Sequence, residues 1–200
     1  MSGGTPVSGG TPVSGGMPRE RLVELLRERS FERKKVILAS GRESDFFIDC
    51  KQTILTAEGH ALVGELMFDA LDALPRCEAV AGVELGGCPL ASAVSLVSWV
   101  RGRPLPALYV RKETKDHGSK RLVEGDRAII SGMPVVILED VVTTGGSTLK
   151  AAEKLRLAGV NVVGVVALVD RLEGGAEAIN AAGLPLVSLC TRRDFLADVG

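Results

Sequence analysis

The chain has 200 residues, 46% of them apolar, and a formal net charge of −1. That length and apolar content suit one domain with a real core and exclude disorder throughout, while the near-neutral charge excludes a global basic field for nucleic acid or anionic membrane, so anion recognition must be local. No apolar run reaches the roughly 18 residues that span a membrane, no secretory signal is visible, and the cysteines lack zinc-site spacing, which reads as a cytoplasmic protein with reduced thiols.

Residues 1–16 are built on a repeated SGGTPV with almost nothing to bury, so a disordered tail is expected there. Residues 17–55 read as a small hood. Arg19 to Arg29 spaces Leu22, Val23, Leu25 and Leu26 as an amphipathic helix does, and VILASGRESDFFID reads as strand, Ser-Gly turn and strand. The main domain, 56–200, opens with Thr56 and Glu58 at a helix that runs to about Leu74. Strands follow at 79–83, 106–110, 134–138, 161–169 and 185–189. Helices are expected at 89–100, 147–158 and 176–182, with a short one in the C-terminal TRRDFLADV. The strands are continuous apolar runs, the mark of an α/β fold with an open, mainly parallel sheet covered by helices on both faces. Trp99 reads as core, and His60 as packed or solvated within a helix. Cys88 carries no sign of an activated thiolate.

The junction VVILEDVVTTGGSTLKAA carries chemistry. An apolar strand runs into Glu139 and Asp140, then a loop with Gly145 and Gly146, then a helix that Ser147 can cap. Ligands of open parallel sheets bind beyond the carboxyl ends of the strands. Loop amides, the hydroxyls of Thr143, Thr144, Ser147 and Thr148, and the helix N-terminus together make a phosphate cradle. It is neither a P-loop nor a dinucleotide fingerprint. Two acids beside a phosphate would repel it unless ribose hydroxyls or Mg²⁺ lay between, and a ribose 5-phosphate moiety meets that need.

This run resembles the binding motif for phosphoribosyl pyrophosphate (PRPP) in the type I phosphoribosyltransferases. The resemblance implies that Glu139, Asp140, Val141, Val142, Thr143, Thr144, Gly145, Gly146 and Ser147 hold PRPP. The polar stretch YVRKETKDHGSKRLVEG resembles the catalytic loop of the orotate phosphoribosyltransferases, through R-K-x-x-K-D-H-G. By that match Arg111, Lys112, Lys115 and His117 contact the pyrophosphate of PRPP, with Lys115 and Asp140 the catalytic pair. Loop 111–121 would reach the neighbouring subunit's site, which implies a homodimer. LASGRESDFFID is similar to the segment that sets Phe46 or Phe47 against the pyrimidine, and GVELGGCPLA to the loop near the pyrophosphate. In VDR, Arg171 would pair with the orotate carboxylate, with Thr143 also at the base. Mg²⁺ is implied as a cofactor carried by PRPP rather than by protein ligands. Ala39 and Gly86 stand where many bacterial members have lysine, so two cationic contacts are missing. Purine or uracil phosphoribosyltransferases would share the cradle but are not expected to carry this lid. A PRPP-sensing nucleic-acid regulator should add a basic face or a DNA-binding domain. The resemblance therefore implies transfer of ribose 5-phosphate from PRPP to orotate in UMP synthesis.

Overall fold

The apolar stripe of the first helix forms as its spacing requires. α1 (Pro18–Arg29) buries Leu22, Val23, Leu25 and Leu26 and carries proline in its first turn, where the missing N–H has no intrahelical partner to lose. The computed structural model describes residues 17–37, 43–112 and 122–196. The repeat tail, the Ser-Gly turn with Ala39, and most of the polar stretch therefore lie outside the described residues. β1 (Phe31–Ile37) and β2 (Glu43–Ile48) pair antiparallel. Alternation along β2 buries Phe46 and Ile48 and leaves Phe47 half-buried. A short α2 (Lys51–Ile54), absent from the sequence reading, joins the hood to α3 (Ala57–Ala70). The Thr56 hydroxyl caps α3 by accepting the Gly59 N–H at 3.0 Å. α3 ends earlier than expected, and a 3₁₀ turn over Leu71–Ala73 completes the path to Leu74.

The main sheet follows as β3 (Ala79–Val83), α4 (Gly87–Val100), β4 (Ala107–Val110), β5 (Val123–Glu124), β6 (Pro134–Val142), α5 (Gly146–Leu157), β7 (Asn161–Asp170), α6 (Gly175–Ala181), β8 (Leu186–Thr191) and α7 (Arg193–Leu196). Strand order is β5-β4-β3-β6-β7-β8, parallel throughout except for the edge pair β4 and β5. The two-residue β5 lies at the end of the stretch read as a polar lid, too short for any periodicity to reveal it.

Two apolar layers explain why the strand sequences do not alternate. Val80, Val136, Leu138, Val166 and Leu168 face a layer that holds Leu22, Leu26, Phe46, Ile54, Met67 and Leu90 of the hood, α3 and α4. Ala79, Ala81, Val135, Ile137, Val165 and Ala167 face the opposite layer with Ala151, Leu155 and Ile179 of α5 and α6. Each strand thus buries both faces, as parallel strands covered by helices must. Hood and sheet share one of these cores. The C-terminal α7 is tied back to α1, since Arg27 Nε donates to the Asp194 carbonyl at 3.0 Å and Arg19 pairs with the Asp194 carboxylate at 2.7 Å.

Trp99 corrects the sequence reading. It is 72% exposed, together with Leu96 and Val100 on the same helix. α4 is apolar nearly all round, so residue type could not reveal which side meets the sheet. The inward side is Leu90, Ala91, Ala93, Val94 and Ser98. Ser98 is there because its hydroxyl has partners: it donates to the Ser95 carbonyl at 2.6 Å and accepts from the Leu105 N–H at 2.9 Å.

Candidate active site

The carboxyl ends of β3, β6 and β7 are neighbours in the sheet, and the loops leaving them meet. β6 is longer than the apolar run predicted, and its ladder with β7 continues to Val142. Both acids therefore sit within the strand, and its period of 2 separates them. Glu139 shares a side with Val135 and Ile137 and turns toward α5. Asp140 shares a side with Val136 and Leu138 and turns toward α4 and the hood.

Glu139 is buried and accepts from the Thr148 hydroxyl at 2.9 Å and the Ser147 hydroxyl at 3.4 Å. This corrects the reading of Ser147 as a helix cap. The N-cap of α5 is Gly145, at φ 80°, with no side-chain cap. Thr148 likewise directs its hydroxyl at Glu139, so both groups fasten the end of β6 to the first turn of α5. Burial, then the negative charge of Asp140, push the Glu139 carboxyl up to about 8, against the lowering effect of the two hydroxyls. A folded-state pKa above the ordinary 4.5 favours folding fully below that value, and the contribution is lost as pH rises through the folded pKa. Glu139→Gln is neutral at every pH. Its melting temperature minus that of the parent should therefore grow from about pH 5 to pH 8, and a difference constant across that range would refute the assignment.

Asp140 is half-buried, and its Oδ1 accepts the Val141 N–H at 3.0 Å. The Cys50 thiol of the hood donates to the Asp140 carbonyl at 3.8 Å. Gly86, from the β3–α4 loop, lies directly against the carboxylate, for a Cβ there would stand 1.8 Å from Asp140 Oδ2. Beyond the acids, Thr143 is half-buried and Thr144, Gly146 and Ser147 are exposed. The start of the twelve-residue α5 and its loop amides are thus open to an anion. Val141 is half-buried beside the cradle, and Val142 is buried beneath it.

The root of the expected lid is well anchored. Lys154 Nζ donates to the carbonyls of Arg111 and Lys112 at 2.8 and 2.7 Å, and the Lys112 N–H donates to Glu84 Oε2 at 2.9 Å. Arg111 pairs with Glu124 at 3.0 Å across the stem. Glu84 and Glu124 lie within the segments GVELGGCPLA and YVRKETKDHGSKRLVEG without an assigned role, and Lys154 lies outside them. Glu84 and Lys154 hold backbone of the stem, and Glu124 holds the Arg111 side chain. Val83, Val110, Arg111, Lys112, Lys150 and Lys154 line a cavity of about 320 Å³ beside α5. Lys115 and His117 lie outside the described residues.

Arg171 follows the last residue of β7 and is 8% exposed. Its Nη2 donates to the Phe46 carbonyl at 3.0 Å, and its guanidinium lies 5.4 Å from the Phe46 ring. The structure thus brings together two segments that are 125 residues apart. The Phe46 ring itself is fully buried, 5.0 Å from Phe31 and 5.8 Å from Phe195 between ring centroids. Phe47 carries the accessible ring, with Lys34 Nζ 3.8 Å from its centroid. Glu173, which the sequence reading passed over, pairs with Arg171 at 2.9 Å. His60 is half-buried within α3, and burial pushes the Cys88 thiol up to about 11, the opposite of activation.

Comparison with known proteins agrees with this geometry. The family model described as phosphoribosyl transferase domain matches residues 55–182. An orotate phosphoribosyltransferase of Sorangium cellulosum is 83% identical over 90% of this chain and 94% of its own length. One from a Bradyrhizobium species is 47% identical over 89% of this chain and 97% of its own. Among solved structures, Mycobacterium tuberculosis orotate phosphoribosyltransferase in complex with PRPP superposes with a TM-score of 0.73 at 36% identity. It covers 90% of this chain and 99% of its own. With the sheet order, the acid-bearing strand and the open loop all in place, the chain belongs to the orotate phosphoribosyltransferases.

Proposed function

We propose that the chain transfers the ribose 5-phosphate of PRPP to orotate, giving orotidine 5′-monophosphate and pyrophosphate, as a Mg²⁺-dependent homodimer in the cytoplasm. The observation that carries the reading is the meeting of the open loop 143–147, the Asp140 carboxylate and Arg171 at the ends of the paired strands β6 and β7. The loop amides and the α5 N-terminus hold the 5-phosphate. Asp140, beside Gly86, receives ribose hydroxyls and favours the positive charge that develops on the sugar as the anomeric bond breaks. Glu139 acts from behind, through Ser147 and Thr148, by keeping strand and cradle in register. Arg171 takes the orotate carboxylate, with the Phe46–Phe47 segment and Thr143 beside the ring. Orotate is already an anion, so no strong general base is required.

Arg111, Lys112, Lys115 and His117 meet the pyrophosphate, whose charge grows as it leaves. Cations that close on that charge act most strongly in the transition state. The cavity beside the lid root, with its lysines, supports a polyanion on this side. Mg²⁺ prefers substrate phosphate oxygens with one or two carboxylates. A half-buried Asp140 beside the cradle suits a cation that arrives on PRPP and neutralises its diphosphate. The exposed Leu96, Trp99 and Val100 of α4 offer an apolar face for a second copy. All four cysteines are free, in keeping with a reducing compartment.

A direct test is turnover with PRPP and orotate against uracil, hypoxanthine and adenine. Orotate should be the preferred base, and equal use of any other would overturn the assignment. Lys115→Ala should lower kcat far more than it weakens PRPP binding. With the lid shared between subunits, mixing Lys115→Ala with Asp140→Asn should regain activity in heterodimers. No recovery in a mixture shown to contain heterodimers would count against a shared site.

A further inference from the structure

The turn after β7 holds a buried acid that the mechanism does not use. The Glu173 side chain is 9% exposed, as is that of Arg171, and the two approach to 2.9 Å. Neither Glu173 oxygen has a hydrogen bond of good geometry among the described residues. A carboxylate so placed is neutralised in charge but poorly satisfied in direction, which is costly for a buried group. The backbone is arranged to put it there. Leu172 has φ 56°, in the left-handed region, and is held by its N–H donating to Asp170 Oδ1 at 2.9 Å. A leucine rarely adopts that conformation, because its Cβ crowds the following carbonyl oxygen. The same turn packs on the cradle, since a Cβ on Gly175 would stand 2.6 Å from the Thr143 carbonyl.

We propose that Glu173 is a specificity-positioning residue, an internal carboxylate that occupies Arg171 until the carboxylate of the pyrimidine displaces it. This rests on the reading of Arg171 as the receiver of that carboxylate. A buried guanidinium needs a counter-charge in the empty site, and Glu173 supplies one with poor hydrogen-bond geometry. A planar substrate carboxylate makes the parallel bonds that Glu173 does not. A base without a carboxylate leaves Glu173 in place and gains nothing from Arg171. Glu173 therefore lowers affinity for the anionic ligand while keeping the arginine set for it.

The test uses the affinities of the full chain for orotidine 5′-monophosphate and uridine 5′-monophosphate, measured by calorimetry. Both should bind through the same phosphate cradle, and they differ only in the carboxylate, so the ratio of their dissociation constants reports its contribution. Glu173→Gln should raise the preference for orotidine 5′-monophosphate by about tenfold, since a competing buried negative charge is removed. Uridine 5′-monophosphate affinity should be unchanged, which also certifies a folded site. Glu173→Asp keeps the charge but withdraws it by one methylene, and should raise the preference less. It serves where the glutamine variant does not fold. Arg171→Leu should reduce the preference to near one. If it does so while neither Glu173 variant raises the preference, Glu173 is only structural and this inference fails alone. If Arg171→Leu leaves the preference intact, the carboxylate site lies elsewhere and the reading beneath it fails too.

Discussion

Replacing Arg171 by leucine is expected to lower kcat/KM for orotate by about 30- to 4,000-fold. Removing one partner of a buried, hydrogen-bonded charge pair costs about 2–5 kcal/mol, at about 1.4 kcal/mol per factor of ten. Here the substrate carboxylate is the group left without its partner. The same change also strips Glu173 of its counter-ion and the Phe46 carbonyl of a donor, so the melting temperature should fall as well. The comparison between bases separates the two effects. Activity on uracil, which brings no carboxylate, should change little, and so should the dissociation constant for PRPP. Equal losses with orotate and uracil would make Arg171 a structural residue and nothing more.

Gly86→Ala is expected to lower kcat/KM by about 100-fold, the scale on which a 1 Å misplacement in a site acts. The added methyl would fall 1.8 Å from Asp140 Oδ2, so the carboxylate assigned to the ribose must move. Gly86→Lys should fare no better. In this chain the space a side chain at 86 would need is filled by Asp140, so restoring the lysine common in related enzymes cannot simply add a cation to the PRPP site. Steady-state kinetics with PRPP varied, alongside melting curves, would check both variants. Parent-like kinetics for Gly86→Ala would mean that the loop yields and that Asp140 does not depend on it.

The same contact marks the boundary between what residues reveal alone and what only their meeting decides. Gly86 was legible as a departure from a family pattern, and its sequence gives no sign that Asp140, 54 positions on, leans over it. Position was the difficulty for Trp99 too, since a helix apolar nearly all round carries no phase. Glu173 escaped notice because an acid two residues after an arginine normally faces solvent. The left-handed Leu172 reverses that, and a single backbone angle has no signature in composition.

By itself the sequence determined the order of the main strands and helices, the burial of both sheet faces, the glycine- and hydroxyl-rich loop after the acid-bearing strand and the arginine at the end of its neighbouring strand. Those features are encoded locally, in runs, periods and short spacings that act within a few residues of one another. Tertiary structure decided the different surroundings of Glu139 and Asp140, the antiparallel edge strand, the exposed side of α4, and the pairing of Arg171 with Phe46. Glu139 and Asp140 are adjacent and chemically alike. One is buried against α5 and the other half-open beside Gly86, because a strand's successive side chains emerge on opposite faces and only the assembled sheet determines what covers each.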